Sequence, residues 1–174
     1  DFDKQSNMYR QAIARKNKLT SFLRENNYEK LSKRPNVTIY TGKGSLVSAN
    51  TVKVALPEEE IELQGKEIFI NTGSTPIIPN IEGIQQSRNV YTSTTLLELD
   101  ILPKHLIIVG GGYIGLEFAS MYAGFGSKVT LLEAGNRFMP RNDSDIAKSV
   151  REVMEKKGVE IRLNVRTQSI HDTH

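Results

Sequence analysis

Between residues 3 and 31 the apolar side chains Tyr9, Ala12, Ile13, Leu19, Phe22 and Leu23 recur at helical spacing with Lys and Arg opposite. That pattern predicts one long amphipathic helix, stopped by Pro35. From Val37 the period shortens. Val37–Tyr40 starts a β pattern that Gly42 and Gly44 interrupt, and 45–56 and 61–63 read as short antiparallel strands around the acidic turn Glu58–Glu60. A fourth β run, 67–70, closes on Asn71-Thr72-Gly73-Ser74. Pro76, Pro79 and Gly83 then write an extended crossing, where two lobes are expected to meet.

The second half alternates strand and helix. Thr92–Thr94 caps a short leucine-rich helix, and 106–109 is an apolar strand. A helix is expected over Tyr113–Phe125, burying Ile114, Phe118, Met121 and Tyr122 and stopped by Gly126, with a strand from Lys128 to Glu133. A further helix, capped by Asn142 or Asp143, turns Ile146, Val150, Val153 and Met154 inward and is closed by Gly158. Val159–Leu163 is the third strand. The order βαβαβ defines an α/β, Rossmann-like mononucleotide-binding half of a doubly wound sheet, whose remainder is expected to lie outside this chain.

Composition narrows the function classes. The net charge of +3 arises mainly in the first 34 residues, where nine basic side chains face four acids. A solvated helix surface accounts for that excess better than a nucleic-acid face does. No apolar run reaches the roughly 20 residues of a membrane span, and no signal peptide is visible, so the expected location is cytoplasmic. The chain has no cysteine, hence no disulfide, thiolate metal site or cysteine nucleophile, and His105, His171 and His174 are too scattered for a metal centre. A start at Asp1 rather than methionine suggests a fragment.

The chemistry concentrates in Gly110-Gly111-Gly112-Tyr113-Ile114-Gly115 between strand and helix, with Glu133 ending the next strand 23 residues after Gly110. Gly110 permits a tight turn, Gly112 a close approach of backbone to a pyrophosphate, and Gly115 close packing of helix on strand. The helix N-terminus supplies free N–H groups and positive dipole. Glu133 would accept hydrogen bonds from both hydroxyls of the adenosine ribose and repel a 2′-phosphate, which favours NAD(H) over NADP(H). Arg137 and Arg141 lie close enough in sequence to temper that preference.

These residues, with Leu116-Glu117-Phe118-Ala119 and Gly126–Glu133, resemble the NAD domain of the pyridine nucleotide-disulfide oxidoreductases, the family of lipoamide dehydrogenase, glutathione reductase and mercuric reductase. Asn71-Thr72-Gly73-Ser74-Thr75-Pro76 resembles the signature at which that family's chain leaves its FAD domain, with Asn71 where alanine is usual. The resemblance implies that residues 1–98 are the later part of an FAD-binding domain and 99–174 the first part of an NAD(P)-binding domain. It further implies that Thr72, Gly73 and Ser74 contact FAD, that Gly44 meets its adenine, and that Thr167 offers backbone to the NAD adenine. Tyr113 matches the aromatic residue that covers the flavin face, or simply packs there. Glu117 matches a glutamate that lies near the flavin and pairs with a lysine not present here, or is an acid favoured by the helix dipole.

The family's N-terminal FAD glycine fingerprint, redox-active cysteine pair and C-terminal domain with catalytic histidine and glutamate are absent from these residues. The expectation is therefore of binding residues for FAD and NADH, no catalytic or metal-ligating residue, no activity of the fragment alone, and a homodimer as the intact enzyme. That enzyme would pass hydride from nicotinamide to flavin and on to a disulfide or other acceptor. A flavoprotein of the NADH oxidase or ferredoxin reductase kind, or a non-catalytic redox sensor, shares the same visible motifs.

Overall fold

The computed structural model describes residues 1–172; His174 lies outside them. The chain forms two compact units, one built from Asn17–Thr75 and the other from Asp1–Lys16 together with the chain from Pro76 onward. Helix α1 (Phe2–Ser32) contributes to both.

In the Asn17–Thr75 unit, strands β1 (Lys43–Ser48), β2 (Thr51–Ala55) and β3 (Glu60–Gln64) form an antiparallel sheet in the order β1-β2-β3. Val54 pairs with Gly44 on one side and Ile61 on the other, and Val54 and Thr51 are its buried positions. The acidic turn closes where the Leu56 N–H donates to the Glu59 carbonyl at 2.8 Å. Two sequence expectations fail here. Neither 37–40 nor 67–70 is a strand. Phe69 is 86% exposed and Ile70 70%: among the described residues no strand runs beside them to take their backbone hydrogen bonds, and β character in a side chain does not supply a ladder.

In the other unit, the parallel strands β4 (His105–Val109), β5 (Lys128–Leu132) and β6 (Val159–Arg162) lie in that order, joined by α3 (Tyr113–Phe125) and α4 (Ser144–Lys156). The predicted βαβαβ order is observed, with α3 at the expected Tyr113–Phe125; β4 starts one residue earlier than expected, and β5 and β6 each stop one residue sooner, which leaves Glu133 just past the end of β5. Leu106, Ile108, Val129, Leu131, Val159 and Ile161 alternate toward one face and pack with both helices in the main core. Short helix α2 (Ser93–Leu96) starts at Thr92, whose hydroxyl and that of Thr95 cap each other's backbone N–H.

The inward faces of both long helices differ from the sequence reading. On α3 the residues buried are Leu116, Phe118, Ala119 and Tyr122, while Ile114 and Met121 are exposed. On α4 they are Ala147 and Met154, with Val150 partly buried and Ile146 and Val153 exposed. The cause is common to both. Small residues set the closest approach to the sheet, at Gly115 and Ala119 in α3 and Ala147 in α4. The stripe that follows at i+3, i+4 and i+7 then lies one residue, about 100°, from the larger apolar side chains.

The start of α1 reaches this core through Tyr9, which is 1% exposed. Its hydroxyl donates to the Leu99 carbonyl at 2.7 Å and lies 2.8 Å from the hydroxyl of Tyr122, which itself donates to the Leu96 carbonyl at 3.1 Å. Phe125 meets the Tyr9 ring edge-on at 5.2 Å between centroids. Burial raises the pKa of both phenols, so both keep their protons at any physiological pH.

Candidate functional site

The C-terminal ends of β4 and β5 point at one cleft of about 200 Å³. Ligands of open α/β sheets bind outside the carboxyl ends of the strands, and the lining here follows that rule. Val109 ends β4 and Gly110 follows it, Leu132 ends β5 and Glu133 follows it, Ile81 comes from the crossing segment, and Val165–Thr167 from the stretch after β6. The lining is apolar apart from Glu133, Arg166 and Thr167. The Thr167 hydroxyl is buried and has no hydrogen-bond partner among the described residues.

Each fingerprint glycine has a distinct physical reason. Gly110 has φ of 107°, a conformation that excludes other residues from the turn. A Cβ on Gly115 would collide with the Gly110 carbonyl oxygen, so the helix lies as close to the strand as backbone allows. Gly112 is the N-cap of α3 with φ of −75°, and nothing lies within 4 Å of where its Cβ would be. No fold constraint demands glycine there. What remains is open space in front of the uncapped first-turn N–H groups of α3, the geometry of an anion cradle.

Glu133 spans the mouth of this turn. Its Oε2 accepts from the Gly111 N–H at 2.8 Å and its Oε1 from the Gly135 N–H at 2.7 Å. These bonds, that from Gly135 foremost and then that from Gly111, hold its pKa below the ordinary carboxylate value. The carboxylate is thus charged, oriented by both flanking loops, and still has lone pairs free for further donors.

Tyr113 and Ile114 stand exposed at the start of α3. The Tyr113 hydroxyl donates to Asn142 Oδ1 at 3.0 Å, which ties the first turn of α3 to the loop entering α4. Glu117 is exposed one turn further along. Arg137 and Arg141 are exposed in the loop after β5, and neither forms an ion pair among the described residues. Thr72, Gly73, Ser74 and Gly44 belong to the Asn17–Thr75 unit and are all exposed. Gly73 has φ of 73°, so glycine is needed there for its backbone shape, whereas a Cβ on Gly44 would make only an ordinary contact with Val52.

Sequence reasoning did not name Ile81, Val109, Leu132, Val165 or Arg166 as lining, nor Phe138 and Met139 as buried anchors of the loop after Glu133. The strand-end residues were findable from the rule for open sheets. Ile81 was not, since only the fold brings the crossing segment to the cleft.

A glycine turn between strand and helix, with an acid just past the second parallel strand, is the arrangement found in dinucleotide-binding α/β domains. Residues 4–174 match the family described as pyridine nucleotide-disulphide oxidoreductase, and the chain belongs to that family. It is 46% identical over 159 residues to the probable pyridine nucleotide-disulfide oxidoreductase RclA of Escherichia coli, covering 91% of this chain and 36% of that protein. It is 35% identical over 149 residues to a mercuric reductase of Lysinibacillus sphaericus, covering 86% of this chain and 26% of that protein. The solved copper(II) complex of the HOCl-induced flavoprotein disulfide reductase RclA from E. coli superposes with a TM-score of 0.91 at 42% identity, over 99% of this chain and 40% of that one. The chain therefore spans between a quarter and two fifths of the length of these relatives. No helix of the described residues is long and apolar enough to cross a membrane.

Proposed function

We propose that this chain is the nucleotide-binding middle of a flavoprotein oxidoreductase, in which the turn Gly110–Gly115 holds the pyrophosphate of NADH and Glu133 its adenosine ribose. The observation that carries the reading is the open cradle at Gly112 facing the free N–H groups of α3, with a pre-oriented, charged Glu133 across the turn. The apolar walls of the cleft, with Thr167 beside them, suit the adenine ring. NADH is preferred over NADPH because Glu133 is held in place by two backbone donors, and a 2′-phosphate would have to approach a fixed negative charge.

Residues 1–98 are read as the later part of an FAD-binding domain and 99–174 as the first part of the NAD-binding domain. Thr72, Gly73 and Ser74, exposed and shaped by the positive φ of Gly73, would hold FAD through backbone, and Gly44 leaves room for a neighbour. When bound, the nicotinamide and flavin supply the hydride chemistry; the chain positions them and supplies charge. Tyr113, free on its ring faces and fixed at its hydroxyl, would stand at the nicotinamide side, and Glu117 beside the flavin. The intact enzyme is expected to be a dimer that passes the electrons to a disulfide or a related acceptor.

Gly112→Ala tests this directly. A methyl at Gly112 meets no protein atom, so the loss in stability should stay below about 1 kcal/mol, the usual penalty of an alanine N-cap. It occupies the space assigned to the pyrophosphate, so calorimetric titration should show NADH binding weakened roughly tenfold or more. Unchanged affinity in the folded variant refutes the assignment.

A further inference from the structure

The wall of the cleft that carries Ile81 comes from a crossing segment with no regular structure of its own, and the fold secures it in an unusual way. Glu82 and Ser169 pair as an isolated parallel bridge, with the Ile170 N–H donating to the Glu82 carbonyl at 2.8 Å. Gly83 has φ of 79°, and a Cβ there would run into the Ile170 carbonyl, so the two backbones touch. From Gly83 the segment curls into a turn whose Ser87 N–H returns to the Gly83 carbonyl at 3.1 Å.

Asp172 then closes the turn onto the segment that follows β6. Its Oδ1 accepts from the Ser87 hydroxyl at 2.6 Å and from Asn89 Nδ2 at 3.5 Å, and its Oδ2 from the Arg88 N–H at 3.0 Å. The Ser87 hydroxyl in turn accepts from the Asn89 N–H at 3.2 Å. A single carboxylate thus satisfies a turn more than eighty residues away in sequence. Ile81 and Val165–Thr167, the two sides of the adenosine end of the cleft, are carried on the two segments it joins. Nothing else among the described polar contacts links residues 84–89 to 166–172.

We infer that Asp172 is a positioning residue for the nucleotide: by latching 87–89 to the chain after β6 it fixes the width of the slot between Ile81 and Thr167. The inference rests on the reading of that cleft as the adenosine site. Asp172 is not among the residues lining the cleft, and its effect passes through the Glu82–Ser169 bridge next to the slot. The latch acts on the adenosine half of the dinucleotide and leaves the pyrophosphate turn and the nicotinamide side untouched.

The test compares the unmodified protein with Asp172→Asn, Ser87→Ala and the double variant by calorimetric titration with NADH and, separately, with ADP-ribose. Each single change should weaken both ligands by the same factor, roughly three- to tenfold, as expected for one or two hydrogen bonds coupled to a site. The double variant should be no weaker than the weaker single, because both changes open one latch. Affinities within a factor of about 1.5 of the unmodified protein, or effects that multiply, overturn the inference. Weakening of NADH with ADP-ribose unchanged overturns it too. Should Asp172→Asn fail to fold, Ser87→Ala, which removes one hydroxyl and no charge, carries the same comparison. An unmodified protein that binds neither ligand overturns the nucleotide reading itself, a result distinct from normal binding with insensitive variants.

Discussion

Replacing Glu133 by alanine removes two things at once, and they separate by assay. In the free protein its carboxylate holds the Gly111 and Gly135 N–H groups at 2.8 and 2.7 Å. Hydrogen bonds to a charged acceptor contribute about 1.5 to 3 kcal/mol each, and for a side chain that water can still reach the lower end applies. A loss of about 1 to 3 kcal/mol lowers the melting midpoint of a chain of this size by roughly 2 to 12 °C. With nucleotide present, the ribose hydroxyls lose their acceptor, and NADH binding should weaken roughly ten- to a hundredfold. NADPH should weaken little or gain, since the fixed charge that opposes its 2′-phosphate is gone. The quantity to measure is the ratio of the two dissociation constants, because a general loosening of the loop moves both together. A ratio within twofold of the unmodified protein's refutes the specificity role. The pH dependence has a definite sign. The folded-state pKa of Glu133 lies below the ordinary carboxylate value, so its contribution to stability is complete above that ordinary value and is lost as pH falls through the lowered one. The stability gap between unmodified protein and Glu133→Gln should be flat from pH 6 to 8 and close in acid.

Gly115→Ala should behave unlike Gly112→Ala: its methyl is driven into the Gly110 carbonyl, so overpacking of about 1 to 3 kcal/mol should lower the thermal midpoint together with NADH affinity. A melting curve unchanged from the unmodified protein contradicts the close approach of α3 and β4. Tyr122→Phe removes the buried hydroxyl that donates to the Leu96 carbonyl and pairs with the Tyr9 hydroxyl, leaving Tyr9 only the Leu99 carbonyl, and should destabilise by about 1 to 2 kcal/mol in chemical denaturation. Combined with Tyr9→Phe the loss should fall short of the sum, since two protons serve three contacts; strict additivity contradicts that sharing.

The parallel half of the fold was legible because glycines and caps punctuate it. Gly126 and Gly158 mark helix ends through positive φ, and Asp143 stands at the N-cap of α4, though its side chain makes no cap hydrogen bond. The helix faces were misjudged because Gly115, Ala119 and Ala147 win the positions nearest the sheet by being small, and a hydrophobicity pattern weights Ile114, Met121, Ile146 and Val153 above them. The run at Phe69 and Ile70 has strand-like side chains, yet a strand also needs a neighbour, which no local signal reports. In the site, Gly110, Gly115 and Glu133 could be named from spacing, since one turn and one strand end place them. Thr167 was reached only through the family resemblance, and Ile81 and Asp172 not at all, because they meet across loops joined only by the fold.

The contact between Tyr9 and Tyr122 also sets an order of events in synthesis. The unit that carries the glycine turn draws its first sixteen residues from before the Asn17–Thr75 segment, and the two phenols are separated by 113 positions. At roughly 5 to 20 residues per second a ribosome needs on the order of 6 to 20 s to deliver Tyr122 after Tyr9. Over that interval the Tyr9 hydroxyl lacks its Tyr122 partner, so the unit that carries the parallel sheet cannot complete this part of its core until α3 has been made, around a side chain laid down long before it.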